Sequence, residues 1–347
     1  MRDRPDVLAP NLRACGLTRR EPSETAQQRM RQAAEPAFLV DLEASWGASW
    51  GAADDTSPLR RAVVRRPGSE YELIDPQRWD AEVGALIDPH GMWYWTGRTP
   101  PDLAAIRAEH EHLVVALRAD GVEVDVLEPL GPPFIKSIYM RDPFLMVTGG
   151  AIVGRMAVRM RRGEERAATQ LLGSLGVPIL GTITGTGTIE GGSFIKLASG
   201  LAALGTSVRC NEEGARQLAT LLGLQGIELL VVPLTGYSVH LDLHFAMVDA
   251  AKALVDVAGL PYTFMAELRR RGFELIEADH GERPWALNLL CLRPGRVLMA
   301  EGAHRTAERL AARGVDVITI PYQTIHQNGG GIHCSTNELI RDSAGRQ

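Results

Sequence analysis

Residues 110–127 read HEHLVVALRADGVEVDVL, and this stretch decides the fold. Its first part carries apolar residues at helical spacing, Gly121 ends the helix, and a run of strand length rich in Val and Leu follows. A closing glycine permits the left-handed conformation in which many helices end. The same order of helix, glycine and buried strand returns at residues 165–180, 215–232, 264–278 and 306–320.

Pairs of short apolar runs precede the last four of these helices. They occupy residues 143–154, 193–205, 245–256 and 287–300. The first unit is less regular, with LRRAVVRRPG at 59–68 as its strand. Five strand–strand–helix–strand units predict an α/β fold closed into a ring, because closure leaves no bare sheet edge. An open α/β sheet is the alternative.

The composition is that of a globular protein, and it argues against several functions. With 37 Lys and Arg against 42 Asp and Glu, the net charge is −5, which does not indicate nucleic acid as a partner. No apolar stretch approaches the roughly 18 residues of a membrane span, so we expect no membrane partner. Four widely spaced cysteines and a polar N-terminus predict a cytoplasmic protein without disulfides.

Residues 1–55 are expected to form an N-terminal arm, followed by a single domain of residues 56–347. The arm ends in ASWGASWG at 44–51, before a turn-rich linker. Trp46 and Trp50 could pack on the body or contact a partner chain, and a homodimer is one option.

Unusual polar residues follow the last strand of each unit. They lie in IYMRDPF (138–144), TIEGGSF (188–194), VHLDLHF (239–245), HGERPWALN (280–288) and IHQNGGGIHCST (325–336). In a ring, equivalent loops meet at one end of the axis. We therefore expect one cavity to be shared by Asp142, Glu190, His240, Asp242 and Cys334.

These residue types favour one kind of chemistry. A cysteine thiolate is a strong nucleophile, and a neighbouring histidine can move its proton. Carboxylates would oppose an oxyanion, but they suit a cationic planar substrate that is held by paired hydrogen bonds. A guanidinium group fits, because it offers several N–H donors around an electrophilic carbon. We expect no cofactor and no metal ion, since the His and acidic residues lack a ligand spacing.

The histidines receive different interpretations. In HLD, alternation along a strand would point His240 and Asp242 to the same side. His244 continues that alternation but precedes an apolar strand, which favours a structural role. His110 and His112 lie on a predicted helix and are expected to face solvent.

The motifs MRDPF, IEGGSF, HLDLHF and NGGGIHCST resemble those of the guanidino-modifying superfamily. Its members include arginine deiminase, dimethylarginine dimethylaminohydrolase, agmatine deiminase and the amidinotransferases. The resemblance covers about residues 59–342 and implies the five-bladed α/β propeller, or pentein, fold. The segment TSVRCN at 206–211 is also similar to a segment of arginine deiminases.

The resemblance also implies roles for individual residues. Cys334 matches the nucleophile, His240 the general acid and base, and Glu190 the carboxylate that orients the histidine. Asp142 and Asp242 match the pair that grips the guanidinium group. Further candidate substrate contacts are Arg141, Ser193 and Asn288.

Two reactions are consistent with these motifs. The first is hydrolysis at the guanidino carbon through a covalent amidino-cysteine, or thiouronium, intermediate. The alternative is amidino transfer from arginine to an amine acceptor, whose first step is identical. A non-enzymatic propeller, such as a ribosome anti-association factor, would lack the assembled Cys, His and carboxylates.

The sequence motifs define the substrate less closely than they define the reaction. Ser193 stands where arginine deiminases and dimethylarginine hydrolases usually have Asp, which favours agmatine-like or modified guanidines over free arginine. The alternative is that Ser193 only completes the turn after Gly192. The aromatic stretch Trp93–Trp95 is interpreted either as a packed surface insertion or as a lid over the substrate tail.

Overall fold

A computed structural model describes residues 23–32, 37–90 and 92–342. The helices in these ranges are α1 (Glu24–Gln32), α2 (Phe38–Trp46), α3 (Leu103–Ala119), α4 (Glu164–Leu175), α5 (Glu212–Gly223), α6 (Tyr262–Arg270), α7 (His304–Ala311), α8 (Gln323–His326) and α9 (Ile332–Ser335). Cys15 and residues 1–22 and 33–36 of the expected arm lie outside the described residues. Among the described helices, none combines the length and the apolar character needed to cross a bilayer.

The strands form small sheets of three. Those of the first half are β1 (Leu59–Arg65), β2 (Trp79–Asp80), β3 (Ala85–Ile87), β4 (Trp93–Thr96), β5 (Glu123–Leu127), β6 (Phe144–Val147), β7 (Gly150–Val153), β8 (Ile179–Thr182) and β9 (Phe194–Ala198). Those of the second half are β10 (Leu201–Thr206), β11 (Glu228–Pro233), β12 (Phe245–Asp249), β13 (Lys252–Val255), β14 (Glu274–Glu277), β15 (Leu290–Arg293), β16 (Arg296–Ala300), β17 (Asp316–Ile320) and β18 (Asn337–Arg341).

Four of the sheets share one topology, which confirms the predicted units. In each, an antiparallel hairpin is followed by a helix and then by a third strand parallel to the second, as in β6-β7-β8 with α4. The helix is needed because two parallel strands require a long crossover connection. The other three are β9-β10-β11, β12-β13-β14 and β15-β16-β17.

The first unit is completed by the end of the chain. Strand β1 pairs in parallel with β5 and antiparallel with β18, so the first and last strands of the body share one sheet. Cys334 lies just before β18, and Asp142 lies between β5 and β6. The pairing of β1 with β5 and β18 therefore brings together the two chain segments that carry Asp142 and Cys334.

The glycines that close the five repeat helices adopt the predicted conformation. Their φ angles lie between 71° and 90°, in the left-handed region that side chains with a Cβ rarely occupy. They are Gly121, Gly176, Gly226, Gly272 and Gly314.

One expectation for helix α3 is wrong. His112 is exposed, as expected, but His110 is buried on the face that also carries Ile106, Leu113 and Leu117. Residues three, four and seven apart share one helix face, so the register decides this burial. Burial lowers the pKa of His110 to about 4.

The lid interpretation also needs correction at Trp95. Residues 93–96 form strand β4 of a separate sheet, β2-β3-β4. The Trp95 side chain is buried and packs edge-on against Tyr71, with ring centroids 6.2 Å apart. It is a core residue, because its strand carries it inward, and it does not cover the cavity.

The last residues of the expected arm contact the body. Trp50 is buried in a cluster with Val63 and Leu339, whereas Trp46 stays 43% exposed. The Gly51 N–H donates to the Leu339 carbonyl at 2.9 Å, and the Asp55 N–H donates to the Lys196 carbonyl at 3.0 Å.

A buried ion cluster joins β18 to two other parts of the fold. Glu338 Oε1 accepts a hydrogen bond from Arg141 Nη1 at 2.8 Å and one from Lys196 Nζ at 2.5 Å. Glu338 Oε2 forms an ion-pair contact with Arg141 Nη2 at 2.7 Å. Burial opposes the charge on Glu338, but Arg141 and Lys196 outweigh it and hold its pKa well below the usual value. Lys196 also pairs with Asp55 at 2.7 Å.

We predict that Glu338→Gln lowers the free energy of unfolding by about 3–5 kcal/mol, because it leaves the buried Arg141 without its ion-pair partner and removes one of the two carboxylates that pair with Lys196. Urea denaturation of both proteins measures the difference. Glu123→Gln is the control, since Glu123 is 67% exposed and 3.4 Å from Arg61, and we expect a change below about 0.5 kcal/mol. Equal losses in the two variants would contradict a structural role for the cluster.

Candidate active site

The loops that follow the repeat strands surround one cavity of about 80 Å³. Asp142, His240 and Cys334 line it, and each comes from a different loop. Glu190 and Asp242 lie directly behind them and are also buried. The structure thus brings together the five residues that the loop argument placed in one cavity.

Cys334 sits in the short helix α9, where its thiol is surrounded by polar groups. Asn288 Nδ2 donates to Sγ at 3.1 Å, and the Cys334 N–H donates to Asn288 Oδ1 at 3.2 Å. The thiol also lies 3.4 Å from Asp242 Oδ2. Gly331 allows this approach, because a Cβ there would meet Asn288 Oδ1 at 2.6 Å.

The surroundings of Cys334 favour the protonated form of its thiol. Burial and the negative charges of Asp242 and Asp142 raise its pKa well above the usual value. A positive charge that entered the cavity would oppose these effects and favour the thiolate.

The surroundings of His240 favour the charged, protonated form of its imidazole ring. Its Nε2 lies 2.8 Å from Glu190 Oε2, and its Nδ1 lies 3.7 Å from Asp142 Oδ1. Burial opposes the imidazolium charge, but these carboxylates outweigh it and raise the pKa of His240. Burial also opposes ionisation of Glu190, yet His240 and Arg209 lower its pKa to about 2. These shifts in pKa favour a neutral thiol beside a charged imidazole in the free site.

The backbone at HLD differs from the expected strand. Residues Leu241–Leu243 form a turn of 3₁₀ helix before β12. His240 and Asp242 are nevertheless both buried at the site, because the turn places them on either side of Leu241. Asp242 Oδ2 accepts a hydrogen bond from His333 Nδ1 at 2.8 Å, whereas Oδ1 is buried without a partner.

Both carboxylate oxygens of Asp142 are engaged. Oδ1 accepts from the Gly192 N–H at 3.0 Å, and Oδ2 accepts from Arg161 Nη1. Arg161 also pairs with Glu164 at 2.7 Å. A cationic substrate at Asp142 would therefore share this carboxylate with Arg161.

The remaining candidate residues lie outside the cavity lining. Arg141 pairs with Glu338, Ser193 is fully buried, and Asn288 contacts Cys334 from behind. His244 bridges Asp256 and Ser238, with both contacts at 2.9 Å, in agreement with a structural role.

Sequence reasoning missed several residues of the cavity. Tyr139, Lys136, Arg161 and Asn328 line it beside Cys334. Arg161 belongs to the run MRRGEER, in which spacing does not tell one arginine from the next. Arg209, which also lines the cavity, does fall in a segment for which a family resemblance was noted.

One group of side chains has the geometry to hold a metal ion. Among the described residues, donor atoms of Asp142, Glu190 and His240 all lie within 4.8 Å of one another. The guanidinium groups of Arg161 and Arg209 already pair with these two carboxylates. Positive charge at this position is thus supplied by the protein itself.

Comparison with known proteins places this chain in a family. The sequence model of the family "N,N dimethylarginine dimethylhydrolase, eukaryotic" matches residues 102–341. The chain belongs to this family. The predicted membership of the guanidino-modifying superfamily is therefore confirmed.

Two relatives from known organisms align with most of this chain. The N(G),N(G)-dimethylarginine dimethylaminohydrolase of Pseudomonas aeruginosa is 29% identical over 234 residues, which cover 67% of this chain and 88% of that protein. The 2-nitroimidazole nitrohydrolase of Mycobacterium sp. is 28% identical over 308 residues, which cover 82% of this chain and 80% of that protein.

A solved structure shows that the fold is shared. A dimethylarginine dimethylaminohydrolase that forms an adduct with S-methyl-L-thiocitrulline superposes with a TM-score of 0.65 at 24% identity. The match covers 81% of this chain and 99% of that chain.

We predict that Glu190→Gln lowers the pKa of His240, because the carboxylate stabilises the imidazolium form. A titration of the His240 ring resonances by NMR measures the pKa in both proteins. An unchanged pKa would show that Glu190 does not set the charge of His240.

We predict that Gly192→Ala displaces His240, because a Cβ at residue 192 would lie 2.7 Å from His240 Nδ1 and 2.9 Å from Asp142 Oδ1. The ring resonances of His240 are expected to shift. Gly223→Ala is the matched control, since a Cβ there meets nothing within 4 Å. An identical His240 spectrum in both variants would argue against this close packing.

Proposed function

We propose that the protein is a cysteine-dependent hydrolase of a small guanidino compound and acts through a covalent amidino-cysteine intermediate. The observation that carries the proposal is the placement of the Cys334 thiol beside Asp242, in one cavity with the His240–Glu190 pair. A buried nucleophile, a charged acid and carboxylates suited to a cation are the parts that this reaction requires.

Two carboxylates bind the guanidinium group. Asp242 Oδ1 is buried without a partner, so it is ready to accept an N–H beside the thiol. Asp142 lines the cavity and supplies a second acceptor once Arg161 shares it. Charge-assisted hydrogen bonds of this kind orient a planar group as well as bind it.

Substrate binding also activates the nucleophile. The pKa of Cys334 is raised by burial and by the charges of Asp242 and Asp142. A guanidinium cation held by the same carboxylates cancels part of their charge at the thiol. Binding therefore favours the thiolate at the moment when its target carbon is in place, and the thiol proton passes to solvent because protonated His240 cannot accept it.

The covalent steps follow from these charges. The Cys334 thiolate attacks the guanidino carbon, the C–N bond breaks, and protonated His240 gives its proton to the departing amine or ammonia. Neutral His240 then takes a proton from a water molecule, which attacks the amidino carbon and breaks the C–S bond. The thiolate is restored, and Glu190 stabilises His240 whenever it is charged.

The relatives support this reaction class. The Pseudomonas aeruginosa relative is named as a dimethylaminohydrolase of dimethylarginine.

We further propose that the five units close into a five-bladed propeller within one domain. The return of β18 to the sheet of β1 and the convergence of loops on a single cavity support that arrangement.

Hydrolytic release of nitrite is a second candidate, favoured by the relative named 2-nitroimidazole nitrohydrolase. Carbon 2 of a 2-nitroimidazole lies between two ring nitrogens, as the guanidino carbon lies among nitrogens. The same thiolate could attack it, with nitrite as the leaving group. Amidino transfer remains the alternative in which an amine, instead of water, attacks the intermediate.

A substrate panel separates these reactions. Release of ammonia or an amine from guanidines without an added acceptor supports the proposed hydrolase. Nitrite release from 2-nitroimidazole alone supports the second candidate. Turnover of guanidines only after an acceptor amine is added supports the transferase.

We predict that Cys334→Ala lowers turnover by at least about 10³-fold, because covalent catalysis has no other route here. Cys291→Ala is the matched control and is expected to retain the parent rate, since burial raises the pKa of this core thiol to about 12. Initial rates on the best substrate of the panel measure both. A Cys334 variant with a near-normal rate would disprove the mechanism.

A further inference from the structure

The two carboxylate oxygens of Asp242 have different surroundings. Within the described part of the chain, Oδ1 is buried without a hydrogen-bond partner, and it is the acceptor proposed above for a guanidinium N–H. Oδ2 lies 2.8 Å from His333 Nδ1 and 3.4 Å from Cys334 Sγ. One oxygen is thus engaged by the protein, while the other is left for the substrate.

The hydrogen in the contact between Asp242 and His333 belongs to the histidine. An ionised carboxylate can only accept hydrogen bonds, so the ring nitrogen that faces it must carry the hydrogen. Burial opposes the ionisation of Asp242, but other effects, of which the hydrogen bond from His333 is the largest, hold its pKa below the usual value. His333 therefore donates through Nδ1–H and stabilises the charged form of Asp242.

The position of His333 is fixed together with that of the nucleophile. His333 precedes Cys334 in α9, and its backbone N–H donates to the Asn288 carbonyl at 3.2 Å, while the Asn288 side chain contacts the Cys334 thiol. The His333 ring is buried and lines a second, smaller cavity. The described side chains along the substrate cavity do not include it. His333 can therefore influence a bound substrate through Asp242, and not by direct contact.

An aspartate needs such a partner in order to hold a planar cation well. Rotation about its last side-chain bond is soft, so the bond itself does not fix the plane of the carboxylate. A hydrogen bond to Oδ2 fixes this plane and thereby the direction of Oδ1. Asp142 is fixed in a similar way, because it accepts from the Gly192 N–H at 3.0 Å and from Arg161. Each of the two carboxylates at the site thus has a donor of its own.

We propose that His333 is a positioning residue, which orients Asp242 and keeps it charged for the guanidinium group of the substrate. This inference rests on the proposed function and adds to it a residue that does not touch the substrate. In a Ser-His-Asp triad a carboxylate orients a histidine, whereas here a histidine orients a carboxylate. Loss of the His333 donor should weaken the recognition of positive charge, and it should not slow the reaction of the Cys334 thiol with neutral reagents.

Two alkylating reagents that differ in charge test the proposal before the substrate is known. 2-Chloroacetamidine is a planar cation at neutral pH, and 2-chloroacetamide is its neutral counterpart. The rate at which each modifies Cys334 is measured by mass spectrometry and divided by its rate with 2-mercaptoethanol, which removes the difference in intrinsic reactivity. In the parent we expect the corrected rate to be higher for the amidine, because Asp142 and Asp242 attract its charge.

His333→Leu and His333→Asn form a matched pair of variants. Both side chains branch at Cγ, but only Asn keeps a donor, since its Nδ2 can take the place of the histidine Nδ1. We expect the preference for the amidine to fall about tenfold or more in His333→Leu and to stay within about threefold of the parent in His333→Asn. His112→Leu, at an exposed position of α3, is the control and should leave the preference unchanged.

The outcomes separate this inference from the function on which it rests. A parent that does not prefer the amidine lacks the cation site, so the proposed function and the inference both fail. If the parent prefers the amidine, an unchanged preference in His333→Leu overturns the role of His333 alone. An equal loss in His333→Leu and His333→Asn, or an equal slowing of both reagents, also overturns it, because His333 would then only support the local fold.

A measurement on the parent decides the matter if His333→Leu does not fold. Nitrogen-15 NMR of the histidine rings shows which ring nitrogen of His333 carries a hydrogen. We expect a hydrogen on Nδ1, and we expect its resonance to move in Asp242→Asn, which replaces the charged acceptor by a neutral amide. A His333 ring with its hydrogen on Nε2 alone would overturn the proposal.

Discussion

The pairing of β18 with β1 is the interaction on which the rest of the site depends. It returns the end of the chain to the first unit, so that Cys334 comes to lie beside side chains from much earlier loops. Glu338 on β18 strengthens this closure through its buried contacts with Arg141 and Lys196. Such a cluster is costly to desolvate, but once formed it is costly to break, because each remaining charge would be buried alone. The closed scaffold thereby holds Cys334 and the side chains around it in fixed positions relative to one another.

The second constraint is the excess of acidic groups immediately around the thiol. Asp242 and Asp142 raise the pKa of Cys334 and so favour its neutral thiol, and Glu190 with Asp142 raises the pKa of His240 and so favours its imidazolium form. In the proposed mechanism, a cationic reacting group offsets part of this negative charge when it binds, so the same carboxylates serve recognition and activation. Perturbed protonation states of this kind are typical of reaction centres, because burial and charge are arranged there to serve the chemistry.

The same arrangement accounts for the variety among the relatives. A carbon bonded to several nitrogens accepts a thiolate, whichever group then leaves and whichever nucleophile completes the reaction. In the proposed mechanism, the fold and the cysteine determine the first step, whereas the cavity wall determines the substrate. In this chain the wall carries Lys136, Arg161 and Arg209, and these residues lie on loops that the repeat does not constrain. Differences at such positions can redirect one scaffold to another substrate.

The sequence by itself determined the repeat and the membership of the guanidino-modifying superfamily. Apolar periodicity and five closing glycines act locally, within one or two turns of chain, so they predict the same units wherever the chain folds. The order of the motifs was enough to bring Asp142, His240 and Cys334 into one cavity. Only the tertiary structure decided that His110 and Trp95 are buried, since burial depends on which neighbour covers a face. It alone showed that Arg161 and Lys136 belong to the cavity, because their role comes from contacts between loops distant in sequence, and no local pattern encodes such contacts.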